Sequence, residues 1–173
     1  MERVTAVAAG ARRALLGLWF GSVCCVSFVV APAVFKVIRA APSDRVTAAP
    51  NALAGDVVVT VLQRLASLSL VLGLLTLALL ALDRNGPRLM VRVAGVAAGL
   101  LAVVVFMAWL TPTMLDLLAQ MNAPVDALAR THPLRAQFDG LHSTSSGIHL
   151  VMLLGPLVAL WLERAPATSH STR

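Results

Sequence analysis

Two short stretches carry side chains that could do chemistry together. Thr60, Gln63, Arg64 and Ser67 recur at i, i+3, i+4 and i+7, and His142, Ser145, Ser146 and His149 repeat that spacing. On a helix this pattern puts each set on one face. Asp56 precedes the first set, and Thr111, Thr113, Asp116 and Gln120 form a third polar group. Matched stripes at one depth predict a hydrophilic pocket for a small polar ligand, built from Asp56, Gln63, Arg64, Asp116, His142, Ser145 and His149. An ionisable group in hydrocarbon is costly and is expected to face a bundle interior. The expected partner of Arg64 is Asp56, Asp116 or a bound anion.

The histidines raise a second chemistry, ligation of haem or copper by His142 and His149. Residues seven apart on a helix lie about 10 Å from one another, too far to chelate one ion without another helix. No metal or cofactor site is therefore assigned, and this chemistry stays the alternative. Catalysis has less support. The chain lacks a Gly-rich phosphate loop, a nucleophile elbow, a His-Glu-x-x-His motif and a carboxylate pair at fixed spacing. His142 and Ser143 are adjacent, so on a helix they diverge and make no hydrolase triad fragment. No catalytic residue is expected.

The elements that position these residues are set by the solvent. Of 173 residues, 58% are hydrophobic and 13% are charged, and mean hydropathy is +0.84. A soluble domain carries about 25% charge. The net charge of +6 raises nucleic-acid binding only to dismiss it, because the basic residues flank apolar runs, as anchors to lipid headgroups do. The expected partner is the lipid bilayer. Cys24 and Cys25 are adjacent within an apolar run, which suits packing rather than a disulfide.

About 20 apolar residues cross a bilayer, and four runs qualify. The predicted fold is an all-α, integral membrane four-helix bundle, up-down-up-down, with helices over 14–36, 56–82, 90–119 and 138–162. Residues 1–13 are an expected cytoplasmic N-terminus, and 163–173 an expected cytoplasmic, disordered tail. Ala31-Pro32-Ala33 mimics a signal cleavage site, but the run is long for a signal and proline sits in the site. Pro42 and Pro50 are expected helix breakers in the first polar connection, 39–55, and the second, 122–137, carries Pro124 and Pro133. Residues 83–87 read as a tight turn, and Pro112 predicts a kink.

Orientation follows from Lys and Arg outside the spans. Arg3, Arg12, Arg13, Arg84, Arg88, Arg92, Arg164 and Arg173 fall on the side of the termini, against Lys36, Arg39, Arg45, Arg130 and Arg135 opposite. Both termini are expected in the cytoplasm. The polar stripes then belong to the outer half, since 70–82 and 148–162 are almost purely apolar apart from His149.

A blander account of the stripes stays open. Helix ends are often hydrated, Arg64 can snorkel along its stem, and Ser and Thr can bond their own helix backbone. Under the pocket reading, Arg64→Leu should matter more than Arg88→Leu. Gly17 and Gly21, and Gly95 and Gly99, have the small-xxx-small spacing of closely approaching helices, which supports compact packing and offers glycine-rich faces for a homo-oligomer.

Several of these residues resemble a known group. Leu18-Trp19-Phe20-Gly21, Phe28 and Ala31-Pro32-x-x-Phe35 look like the first helix of the bacterial family known as domain of unknown function 4149. Ala54-Gly55, Pro112 and Phe138-x-x-x-His142-x-x-Ser145 are similar to its later motifs. The resemblance implies a relation to transmembrane protein 205-like proteins, a four-helix membrane fold and the bacterial cytoplasmic (inner) membrane, with no established activity. The stripe containing Arg64, without metal-ligand spacing, favours instead a non-enzymatic membrane protein, a small transporter, accessory or assembly factor. Copper-resistance protein D-like proteins and the haem-dependent protoporphyrinogen oxidase share a looser likeness. The oxidase family carries a histidine in its first helix, where this chain has Trp19 and two cysteines.

Overall fold

A computed structural model describes residues 2–41, 49–83 and 88–163 of the chain. The regular structure among them is helical and forms four long rods. Helix α1 runs through Glu2–Cys25, a π-helical turn at Val26–Val30 and Ala31–Ala40. Helix α2 is Pro50–Ala81, and α4 is Pro133–Glu163. Helix α3 runs through Leu89–Val105, a π-helical turn at Phe106–Leu110 and Thr111–Met121. Each rod is long and apolar enough to cross a membrane.

The rods outrun the apolar segments that announce them. Pro50 and Pro133 open α2 and α4 instead of lying in the connections before them. Proline is well placed at a helix start, because the N–H it lacks would have no intrahelical acceptor there. Helix α1 begins at Glu2 rather than near residue 14, and Glu163 still belongs to α4. Pro42, residues 84–87 of the expected turn and residues 164–173 of the expected tail lie outside the described residues.

Pro32 and Pro112 each follow a π-helical turn. The Ala31 N–H donates to Val26 O, and the Thr111 N–H to Phe106 O. Each bond reaches back five residues where an α-helix reaches four. Proline removes one backbone donor, and its ring crowds the carbonyl four residues earlier. Widening the preceding turn relieves that crowding. Pro112 thus acts through an altered turn of the helix.

The four rods pack as a ring, α1 on α2, α2 on α3, α3 on α4 and α4 on α1. Helices α2 and α4 are diagonal to each other. The core is apolar and centred on Trp19, which is 0% exposed. Its ring reaches across to α2 and α3: a Cβ added to Gly73 would sit 2.9 Å from it, and one on Gly99 3.1 Å. Helices α3 and α4 come closest of all. A Cβ on Gly155 would lie 2.5 Å from the Gly95 carbonyl oxygen. The Gly95/Gly99 spacing therefore serves backbone approach inside the bundle. A Cβ on Gly17 or Gly21 would meet nothing within 4 Å.

Candidate functional site

The two polar stripes do not meet. Asp56, Thr60, Gln63, Arg64 and Ser67 are all exposed, because the opposite face of α2 (Leu65, Ala66, Ser69, Leu72, Gly73 and Thr76) fills the core. Arg64 forms no ion pair among the described residues. His142 is exposed and stacks on Phe138, ring centroids 6.1 Å apart. His149 is half-buried, set edge-on to Phe106 at 5.0 Å, and its Nδ1–H donates to Ser145 O at 2.8 Å. Asp116 is exposed and accepts a hydrogen bond from Gln120 at 2.9 Å.

The expected convergence of Arg64 and His142 fails for a topological reason. In a ring of four consecutive rods the second and fourth are never neighbours. The buried Thr111 hydroxyl has no partner, whereas other hydroxyls of these groups are satisfied locally. Thr60 donates to Asp56 O at 2.9 Å, Ser67 to Gln63 O at 3.0 Å and Thr113 to Trp109 O at 2.7 Å, the backbone bonding open to Ser and Thr on any helix. Among the described residues, no group of three or more His, Cys, Asp or Glu side chains could hold a metal ion.

The structure assembles a different polar centre at the other end of the bundle, and each rod supplies one charge. Arg12 of α1 donates to Asp83 Oδ2 at 2.9 Å and to Glu163 Oε1 at 2.8 Å. Arg92 of α3 reaches the same two oxygens, Asp83 Oδ2 at 3.4 Å and Glu163 Oε1 in closer contact. Asp83 lies just beyond the end of α2, and Glu163 closes α4. Around the ring the signs alternate, and every group touches both groups of opposite charge. The side chains of Arg12, Arg92 and Glu163 are about 5% exposed or less, and that of Asp83 is 31% exposed. Arg13, exposed beside them, donates to Glu163 O at 3.0 Å.

These charges oppose the local helix fields. Arg92 stands in the first turn of α3 and Glu163 in the last turn of α4. The helix dipole prefers the reverse arrangement by roughly 0.3–1 kcal/mol per group. Removing one partner of a buried pair costs about 3–5 kcal/mol, because the other charge stays buried and unpaired. Mutual pairing outweighs the dipole and holds the ring in place. The ring's groups pair with one another, while the buried Arg92 Nε has no hydrogen-bond partner. These pairings tie the four rods together at one level.

Sequence reasoning passed over the ring because its members look like ordinary flanking charges. Arg12 and Arg92 resemble headgroup anchors, and Glu163 resembles a helix stop. Burial distinguishes them, and burial depends on partners 71 and 151 residues away. A groove of about 520 Å³ between the outer faces of α3 and α4 is apolar apart from Thr144. A smaller one, about 290 Å³, lies beside Asp56 and Thr60.

Residues 14–123, more than half of the chain and reaching from within α1 to just past α3, match the family model described as Domain of unknown function (DUF4149). No curated protein matches the chain significantly, and no solved structure does.

Proposed function

The chain belongs to the DUF4149 family, and on that premise we propose that it is a non-catalytic accessory or assembly factor of the bacterial cytoplasmic membrane. Its four rods span the bilayer with both termini in the cytoplasm, as the Lys and Arg distribution favours. The observation that carries the role is the outward direction of the polar stripe on α2. Asp56, Gln63 and Arg64 are displayed on the bundle surface, while the interior is filled by Trp19 and its apolar neighbours. A carrier needs a polar cavity within its bundle; an accessory protein needs a polar surface.

Membrane depth supports that reading. Exposed Arg13 and Arg88 stand level with the charge ring and suit the headgroup region. A hydrocarbon core of about 30 Å takes up about 20 helical residues. Counted from Arg12, Asp83, Arg92 and Glu163, it ends near Pro32, Gln63, Pro112 and Ser143. The rods continue past that level to Ala40, Pro50, Met121 and Pro133. Asp56, Asp116 and His142 then stand in or beyond the headgroups, with Arg64 at the boundary. Asn51 joins these protruding ends, accepting from Arg39 at 2.6 Å and donating to Asp126. This platform is the surface offered to a partner protein.

The test is a photo-crosslinking residue at Gln63, with one at lipid-facing Leu74 as control, in native membranes. The expected result is a discrete protein adduct from position 63 that is lost in Arg64→Leu. No adduct from 63, or the same products from 63 and 74, would remove the accessory reading.

A further inference from the structure

The ring's members recur at one interval. Arg12 and Arg92, Pro32 and Pro112, and Asp83 and Glu163 are each 80 residues apart. The π-helical turns obey the same offset, Val26–Val30 and Phe106–Leu110. So do buried pairs along the core, Leu16 with Val96, Val23 with Val103 and Leu72 with Met152. Arg12 lies 71 residues from Asp83, and Arg92 lies 71 residues from Glu163.

We infer that the chain is a tandem duplicate of one helical hairpin, α1–α2 repeated as α3–α4, and that the charge ring is two copies of one Arg–carboxylate pair interlocked to fix how the halves dock. A two-fold axis running along the bundle exchanges the halves and maps the ring onto itself, Arg12 onto Arg92 and Asp83 onto Glu163. Such an axis has a signature independent of the charges: a residue close to it meets its own counterpart. Trp19 and Gly99 are counterparts at the 80-residue offset, and they are in contact, 3.1 Å from the Trp19 ring to a Cβ built on Gly99. Two tryptophans could not share that space, so one half carries the large residue and the other the smallest. Both halves enter the membrane in the same direction, the parallel form of internal repeat.

The ring adds a charge constraint on register to the steric one set where Trp19 meets Gly99 and Gly155 meets Gly95. Buried ionic groups can select one arrangement among several without adding net stability. The alternating ring is satisfied in one mutual position of the halves. A slip or rotation puts two guanidiniums or two carboxylates side by side.

Two sets of full-length variants test this, each read as an unfolding midpoint in detergent. Trp19→Gly and Gly99→Trp should each lower the midpoint, one by a cavity and the other by overfilling. The double variant W19G/G99W, which moves the ring across the axis, should recover most of the loss. A double variant as low as the sum of the singles would overturn the axis. In the second set, R92E should lower the midpoint, and the swap R92E/E163R should fail to restore it. That swap sets a carboxylate at 92 beside Asp83 and a guanidinium at 163 beside Arg12. Inverting all four charges, R12E/D83R/R92E/E163R, should recover it by renewing the alternation. Full recovery by the two-residue swap would show two independent pairs and overturn the interlocked ring.

Discussion

Trp19 lies against Gly99 on the diagonally opposite helix, and so close that a methyl group there would fall within 3.1 Å of its ring. That contact joins α1 to α3 through the centre of the bundle. Trp19→Ala should therefore cost about 3–5 kcal/mol of stability, measured by reversible unfolding in detergent. A cost below about 1 kcal/mol would mean that the centre is not packed around this side chain.

Glycine positions separate into two classes by what a methyl group would meet. Gly155→Ala should cost about 1–3 kcal/mol, as overpacked sites do, since its Cβ would lie 2.5 Å from a backbone carbonyl that cannot swing aside. Gly21→Ala meets open space and should be neutral or slightly stabilising, given alanine's advantage of about 1 kcal/mol in a helix. A destabilised Gly21→Ala, with a changed oligomeric state, would instead assign that face to a second copy of the chain.

Breaking the ring should be graded by burial. Glu163→Ala leaves two buried guanidiniums to share Asp83 alone and should cost about 3–5 kcal/mol. Asp83→Ala should cost less, because water reaches a side chain that is 31% exposed. Unfolding in detergent would show the order, and equal costs would argue against solvent access at Asp83.

Arg64 gives the opposite expectation. As an exposed side chain without an ion pair among the described residues, it should tolerate Arg64→Leu within about 0.5 kcal/mol, as Arg88 should tolerate Arg88→Leu. The two should differ in partner capture alone, with Arg64→Leu losing the adduct. A large loss of stability in Arg64→Leu would restore the buried pocket expected from sequence.

Orientation can be checked with fusions to the full chain. A fluorescent protein joined after Arg173 should glow, and alkaline phosphatase there should be inactive, if the C-terminus is cytoplasmic. Active phosphatase at that position would invert the proposed topology.

The membrane character and the number of long apolar rods were legible in the residues because hydropathy reports the solvent along the chain, one segment at a time. The small-residue spacing of Gly95 and Gly99 was also readable as close packing. Helix limits were less so: Pro50 and Pro133 act as starts or stops according to which backbone groups need partners, which a proline alone does not reveal. The polar stripes were located correctly along their helices and given the wrong direction. On α2 the outward face is rich in leucine and valine while the core face mixes leucine with small residues, and lipid is as apolar as a bundle core, so hydropathy does not distinguish inward from outward.

What depended on assembly was the identity of the neighbours. Arg12, Asp83, Arg92 and Glu163 are unremarkable flanking charges until the four rods close together and exclude water from three of them. Arg64 and His142 are a plausible pair until the ring of rods sets α2 and α4 on a diagonal. Local composition fixes how each segment meets its solvent; contacts across 71 and 151 residues arise from packing, and they decide which charges are paired and which remain on display.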